Sequence, residues 1–114
     1  METILNYCNQ MMLLMGLLFA VTGSIMYVFP PKKINSLYGY RTASSMKNQQ
    51  KWDFSQTYSA KLLFILGVVL MVVSFFKVVI KTSEETDVIL GIALPLIGVI
   101  TMIIIVERKL KSIN

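Results

Sequence analysis

The sequence predicts an all-α integral membrane protein with three transmembrane helices, on the strength of three observations. Of its 114 residues 55% are hydrophobic and the mean hydropathy is +0.67, more apolar side chain than a soluble core of this size can enclose, because small domains keep much of their surface exposed. Residues 11–29 and 88–106 are each 19 residues long without a formal charge; at about 1.5 Å per residue each covers roughly 28 Å, close to the ~30 Å bilayer core. A third apolar segment, 62–80, is interrupted only by Lys77 near its end, where a long side chain reaches the headgroups while its stem stays in lipid.

The expected arrangement is a single membrane domain over residues 1–114, with spans at about 8–29, 60–80 and 88–107 and a motif loop at 30–59. The first run reads as a span and not as a cleaved signal, since no Lys or Arg precedes position 32 and the run exceeds a usual h-region. It carries Gly16, Ala20 and Ser24 at four-residue spacing, with Gly23 beside them. Such small residues let helix backbones approach in a membrane, here inside the bundle in preference to a dedicated dimer seam, while a homodimer stays open as a partner because three helices bury little and the stripes can meet a second copy. Pro30 and Pro31 end the span, because the residue before a proline is pushed out of helical geometry and proline itself lacks a donor.

Beyond the prolines, Lys32 and Lys33 suit the headgroup layer, and Ile34, Leu37, Tyr38 and Tyr40 are expected against the interface, with Gly39 allowing a turn. Thr42, Ser44 or Ser45 offers an N-cap to the next helix. From about Met46 there is no Gly or Pro until Gly67, so the second helix should begin outside the membrane and run to about 35 residues. Its early part sets Asn48, Trp52, Ser55 or Gln56, and Ser59 at three- and four-residue spacing, hence on one face. The third span has Gly91 and Gly98 on one stripe, and Pro95 as a structural kink.

Charge sets the orientation, because loops on the cytoplasmic side are enriched in Lys and Arg. The long loop holds Lys32, Lys33, Arg41, Lys47, Lys51 and Lys61 against Asp53, and the tail holds Arg108, Lys109 and Lys111 against Glu107; the connection at 82–87 carries Glu84, Glu85 and Asp87 with no base. Both basic regions lie on one side of a three-span chain. The expectation is a multi-pass protein of a bacterial cell membrane with the N-terminus outside and the loop and C-terminus in the cytoplasm. The net charge of +5 is then accounted for by insertion and anionic lipid, with no direct nucleic-acid partner implied. Cys8 is the sole cysteine and there is no His, so an intrachain disulfide, a metal site and any cofactor are not expected.

The polar block supplies one forked Arg donor, several amides and hydroxyls, two loop tyrosines and a helix N-terminus. These suit an anion such as a lipid phosphate or an acidic peptide end. They equally suit a structural reading, in which Arg41 ties its loop to carbonyls, Asn48 caps the helix and Trp52 anchors the interface. The run Pro30-Pro31-Lys32-Lys33-Ile34-Asn35, followed by Tyr38-Gly39-Tyr40-Arg41-Thr42, Ser45, Asn48 and Trp52, with the spacing G-x-R-T-x-x-S-x-x-N-x-x-x-W, resembles the motif of the SdpI/YfhL family of bacterial membrane proteins. The resemblance implies immunity to a secreted, membrane-active toxin peptide, by binding the peptide or shielding its target. In some members it also implies toxin sensing and recruitment of a cytoplasmic repressor, a role that the three spans read here carry less directly than protection. It carries the family's motif onto Pro30, Pro31, Asn35, Tyr38, Gly39, Arg41, Thr42, Ser45, Asn48 and Trp52, with the loop and the helix face expected to form one pocket.

Two other classes compete. A small oligomeric transporter or channel fits the short chain, the glycine stripes and Pro95, but such a path usually places charged groups inside the spans, and only Lys77 lies within one. An enzyme would need more than the single loop carboxylate of Asp53, with no His and no loop Cys. The expected protein is not an enzyme.

Overall fold

The computed structural model describes residues 10–76 and 83–113, which form three helices and no strand among them: α1 (Gln10–Val28), α2 (Gln49–Phe75) and α3 (Glu84–Lys111). All three are long and apolar enough to cross a membrane, so this is a multi-pass membrane protein in a lipid bilayer. Cys8, Lys77, the start of the first expected span and the end of the second lie outside the described residues. The longest dimension is 49 Å, well beyond the ~30 Å hydrocarbon core, because the polar block and the last turn of α3 stand together past one end of the apolar bundle.

The helices α1 and α2 meet along a seam of small residues. A methyl group at Gly16 would stand 2.7 Å from the Gly67 carbonyl oxygen, and one at Gly23 would stand 2.6 Å from the Phe64 nitrogen and 2.8 Å from the Ala60 oxygen. Backbone therefore lies on backbone, and Gly16, Ala20 and Gly23 are buried inside the chain. The stripe runs through Gly23 and leaves Ser24 exposed, where its hydroxyl bonds back to the Ala20 carbonyl at 2.8 Å. Thr101 and Ser74 do likewise to Ile97 (2.8 Å) and Met71 (2.6 Å), so these hydroxyls need no water at membrane depth.

The helix α3 is held differently. It buries only Gly91, Pro95, Val106 and Leu110, and presents Ile89, Ile92, Leu96, Ile97, Ile100 and Ile104 outward, the all-round apolar surface expected of a helix bathed in lipid. Ser83 caps its start, Glu84, Glu85 and Asp87 fill its first turn, and Arg108, Lys109 and Lys111 its last; each charge opposes the helix dipole at its own end. Val106 and Leu110 pack with Tyr40 in a small core flanked by Phe54, Tyr58, Leu62 and Met102. That core sits at the motif end and ties α3 to the loop.

The second helix does start outside the apolar run, but at Gln49 and with Asn48 as its cap, whose side chain accepts from the Lys51 nitrogen at 2.8 Å. Thr42 and Ser45, expected as caps, bond to each other instead, closing a separate turn in which the Met46 nitrogen reaches the Thr42 carbonyl at 3.1 Å. The described α2 is 27 residues long, shorter than the 35 expected. Tyr40, expected at the interface, is buried against α3, while Leu37 stands 90% exposed.

Candidate functional site

The polar block folds as a cap on one end of the bundle, and α2 is its post. Four residues of its first three turns, Trp52, Ser55, Gln56 and Ser59, are buried, at the 3–4 spacing that puts them on one face. Trp52 is 0% exposed, and its indole nitrogen donates to the Pro31 carbonyl at 2.6 Å. Gln56 reads the backbone of Tyr40 from both sides, its Oε1 accepting from the Tyr40 nitrogen at 2.7 Å and its Nε2 donating to the Tyr40 carbonyl at 2.8 Å. Two side chains of one helix face thus hold the strand of loop that leaves α1 and the strand that enters the turn.

Gly39 makes that approach feasible. Its φ of 106° lies in the left-handed region, and a methyl group there would stand 2.6 Å from Pro31 Cγ and collide with the Gln56 amide. Pro31 is itself buried and Pro30 half-buried, so the two prolines serve as the surface on which Gly39 and Trp52 close. Asn35 shapes the preceding turn, its Oδ1 accepting from the nitrogens of Leu37 (2.9 Å) and Tyr38 (2.7 Å). The Tyr38 hydroxyl donates to the Phe29 carbonyl at 2.8 Å, satisfying a group at the end of α1 that the prolines leave without a helical donor.

Next comes a link to α3. The hydroxyls of Tyr40 and Thr42 both donate to Glu107 Oε2, at 2.7 and 2.9 Å. Thr42 Oγ1 in turn accepts from the Ser45 nitrogen at 3.1 Å, and the fully buried Ser45 hydroxyl accepts from the Thr42 nitrogen at 2.8 Å. Burial, then the bond to and charge of Glu107, push the Tyr40 hydroxyl well above its ordinary pKa of 10.0, with Thr42 opposing in part. The tyrosine is a neutral donor to a carboxylate, the stronger, charge-assisted kind of hydrogen bond.

The structure brings together Pro31, Gly39, Thr42, Ser45 and Trp52 in this buried network and sets Asn35, Tyr38, Arg41 and Asn48 around its rim. Trp52 fills the space between the loop and the helix face at Pro31, and among the described residues every buried side-chain nitrogen or oxygen has a partner. A small cavity of about 160 Å³ remains between the loop at Gly39 and Tyr40, the α2 face at Ser59 and Leu63, and Met26 and Met102. Of the motif side chains, Arg41 is the exposed cation; its guanidinium donates to the Ser36 carbonyl and leaves further donors facing outward. Lys32, Lys33 and Lys47 of the same block are exposed as well.

Sequence reasoning counted Glu107 only as a charge of the tail and gave Gln56 no role of its own. Gln56 was within reach, since it shares the face of Trp52 one turn on. Glu107 carried a weaker signal, as the one carboxylate directly after a 19-residue uncharged run.

The family model described as the SdpI/YfhL protein family matches residues 32–106, from just past the two prolines to the buried Val106. A similar protein, the uncharacterised protein YfhL of Bacillus subtilis strain 168, is 46% identical over 55 residues, which make up 48% of this chain and 50% of that protein. The chain spans about half the length of this curated relative. No solved structure matches it.

Proposed function

The chain belongs to the SdpI/YfhL family, and from that premise we propose that it is a membrane immunity protein that gives a bacterium tolerance of a secreted, membrane-active peptide. It binds the peptide or shields what the peptide attacks, and turns nothing over. The observation that carries this reading is the convergence of the motif residues into one cap, with its buried donors and acceptors satisfied internally and the Arg41 guanidinium turned outward. An arrangement with satisfied, buried groups and an exposed forked cation recognises an anionic partner; it offers no activated nucleophile.

In this reading the cap faces the cytoplasm. The joining of the loop to Glu107 at the end of α3 supports it, because the two basic regions then share one side, as the charge bias of membrane proteins requires. A basic face of Lys32, Lys33, Arg41 and Lys47 on that side also suits an acidic surface of a cytoplasmic repressor.

Expression in a peptide-sensitive strain tests the reading. Survival against the cognate peptide should rise with the unaltered protein and fall back with Arg41→Gln at the same membrane level. Sensitivity that stays unchanged across a panel of membrane-active peptides contradicts it.

A further inference from the structure

One turn inside the proline break, a cleft of about 460 Å³ lies beside the glycine seam between α1 and α2. Gly23 and Ala60 form its floor, Phe64 and Ile65 wall one side, and Tyr27 and Lys61 stand at its mouth. The Lys61 ammonium lies 5.7 Å from the centroid of the Tyr27 ring, a cation–π distance. Lys61 is exposed, and among the described residues no carboxylate pairs with it: Asp53 is engaged by Gln49, and Glu107 by Tyr40 and Thr42. A cation at the edge of an apolar cleft, at the depth where helix meets headgroup, matches an amphiphile with an anionic head and a hydrocarbon tail.

We propose that this cleft binds one anionic phospholipid from the leaflet at the motif end, with an acyl chain against Phe64 and Ile65 and the headgroup phosphate on Lys61. Charge complementarity selects the occupant. The tail alone would be taken from any lipid, whereas a lone cation held in place by a ring favours the lipid that carries net negative charge. Lys61 stands directly before the apolar run that begins at Leu62, so the phosphate is met at the level where it sits in a bilayer. This site is separate from the cap and its readout does not depend on immunity.

The test is native mass spectrometry of the full-length protein in mild detergent, offered equal phosphatidylglycerol and phosphatidylcholine. The unaltered protein and Lys61→Arg should retain phosphatidylglycerol about fivefold over phosphatidylcholine, the size expected of one Lys at a membrane surface. Lys61→Gln should lose that preference, Lys47→Gln should keep it, and Ile65→Trp, which fills the cleft from an exposed position, should lower retention of both lipids. Equal retention of the two lipids by the unaltered protein overturns the proposal. So does a loss in Lys47→Gln as large as in Lys61→Gln, an Ile65→Trp protein that retains lipid normally, or displacement of neither lipid's binding by any change in the cleft.

Discussion

At the α1–α2 seam the helices touch because side chains are missing, whereas at the motif end they are joined by side chains that reach across. Gly16, Ala20, Gly23 and Gly67 bring backbone against backbone. Trp52, Gln56, Tyr40, Thr42 and Glu107 each spend a polar group on another element. The difference follows from the solvent. In lipid there is little hydrophobic drive between helices, so close packing of small residues does the joining. At the membrane surface water competes for every hydrogen bond, so the polar contacts hold only where burial excludes it. The helix α3 belongs to the second regime: its strongest ties are at the cap, and most of its length faces lipid.

Substitutions at the two regions should therefore fail in different ways. The largest effect is expected from Gly67→Leu, whose side chain would have to displace the backbone of Gly16 and Ala20; overpacking against backbone leaves no flexible side chain to give way, and no folded protein is expected in a detergent-unfolding titration. Trp52→Ala should cost about 3–5 kcal/mol through its cavity and the orphaned Pro31 carbonyl, with the α1–α2 seam intact by cysteine crosslinking. Were the seam to open as well, the two regions would be one cooperative unit.

Glu107→Gln and Tyr40→Phe sharpen the comparison further. Each should cost about 1–2 kcal/mol, and the double substitution less than the sum, because both remove the same charge-assisted bond. The raised pKa of Tyr40 sets the sign of a pH effect. Its contribution is fully present below its ordinary value of 10.0 and is lost as pH climbs through the higher folded value. The unaltered protein should thus lose stability above about pH 10 more steeply than Tyr40→Phe, measured by parallel unfolding at pH 8 and pH 11. The smallest change is Asn48→Ala, about 1 kcal/mol for one lost N-cap, seen as faster amide exchange confined to the first turn of α2.

The three helices were legible because bilayer thickness imposes a length and a composition that show in any window of residues. The buried face of α2 was legible too, as Trp52, Ser55, Gln56 and Ser59 keep helical spacing. The cap's closure was less so. Tyr40 and Glu107 stand 67 residues apart, and neither carries a local pattern that names the other. Thr42 and Ser45 have the composition of N-caps, yet they satisfy one another, and the short turn they close leaves Asn48 to start the helix. Trp52 has the amphipathic ring of an interface anchor; only the position of the Pro31 carbonyl shows that its nitrogen is turned inward. The motif's spacing pointed to the family because it encodes this knot, residue by residue, across a loop that has no regular structure of its own.

The most direct measurement of the central claim, that protection runs through the exposed face of the cap, is survival of a peptide-sensitive strain making Arg41→Gln protein, compared with the unaltered protein and with Ser24→Ala on the exposed side of α1, all at equal membrane levels. Protection should fall roughly tenfold in Arg41→Gln, the scale of one charge-assisted contact, and stay unchanged in Ser24→Ala. Equal protection by all three proteins would contradict the account.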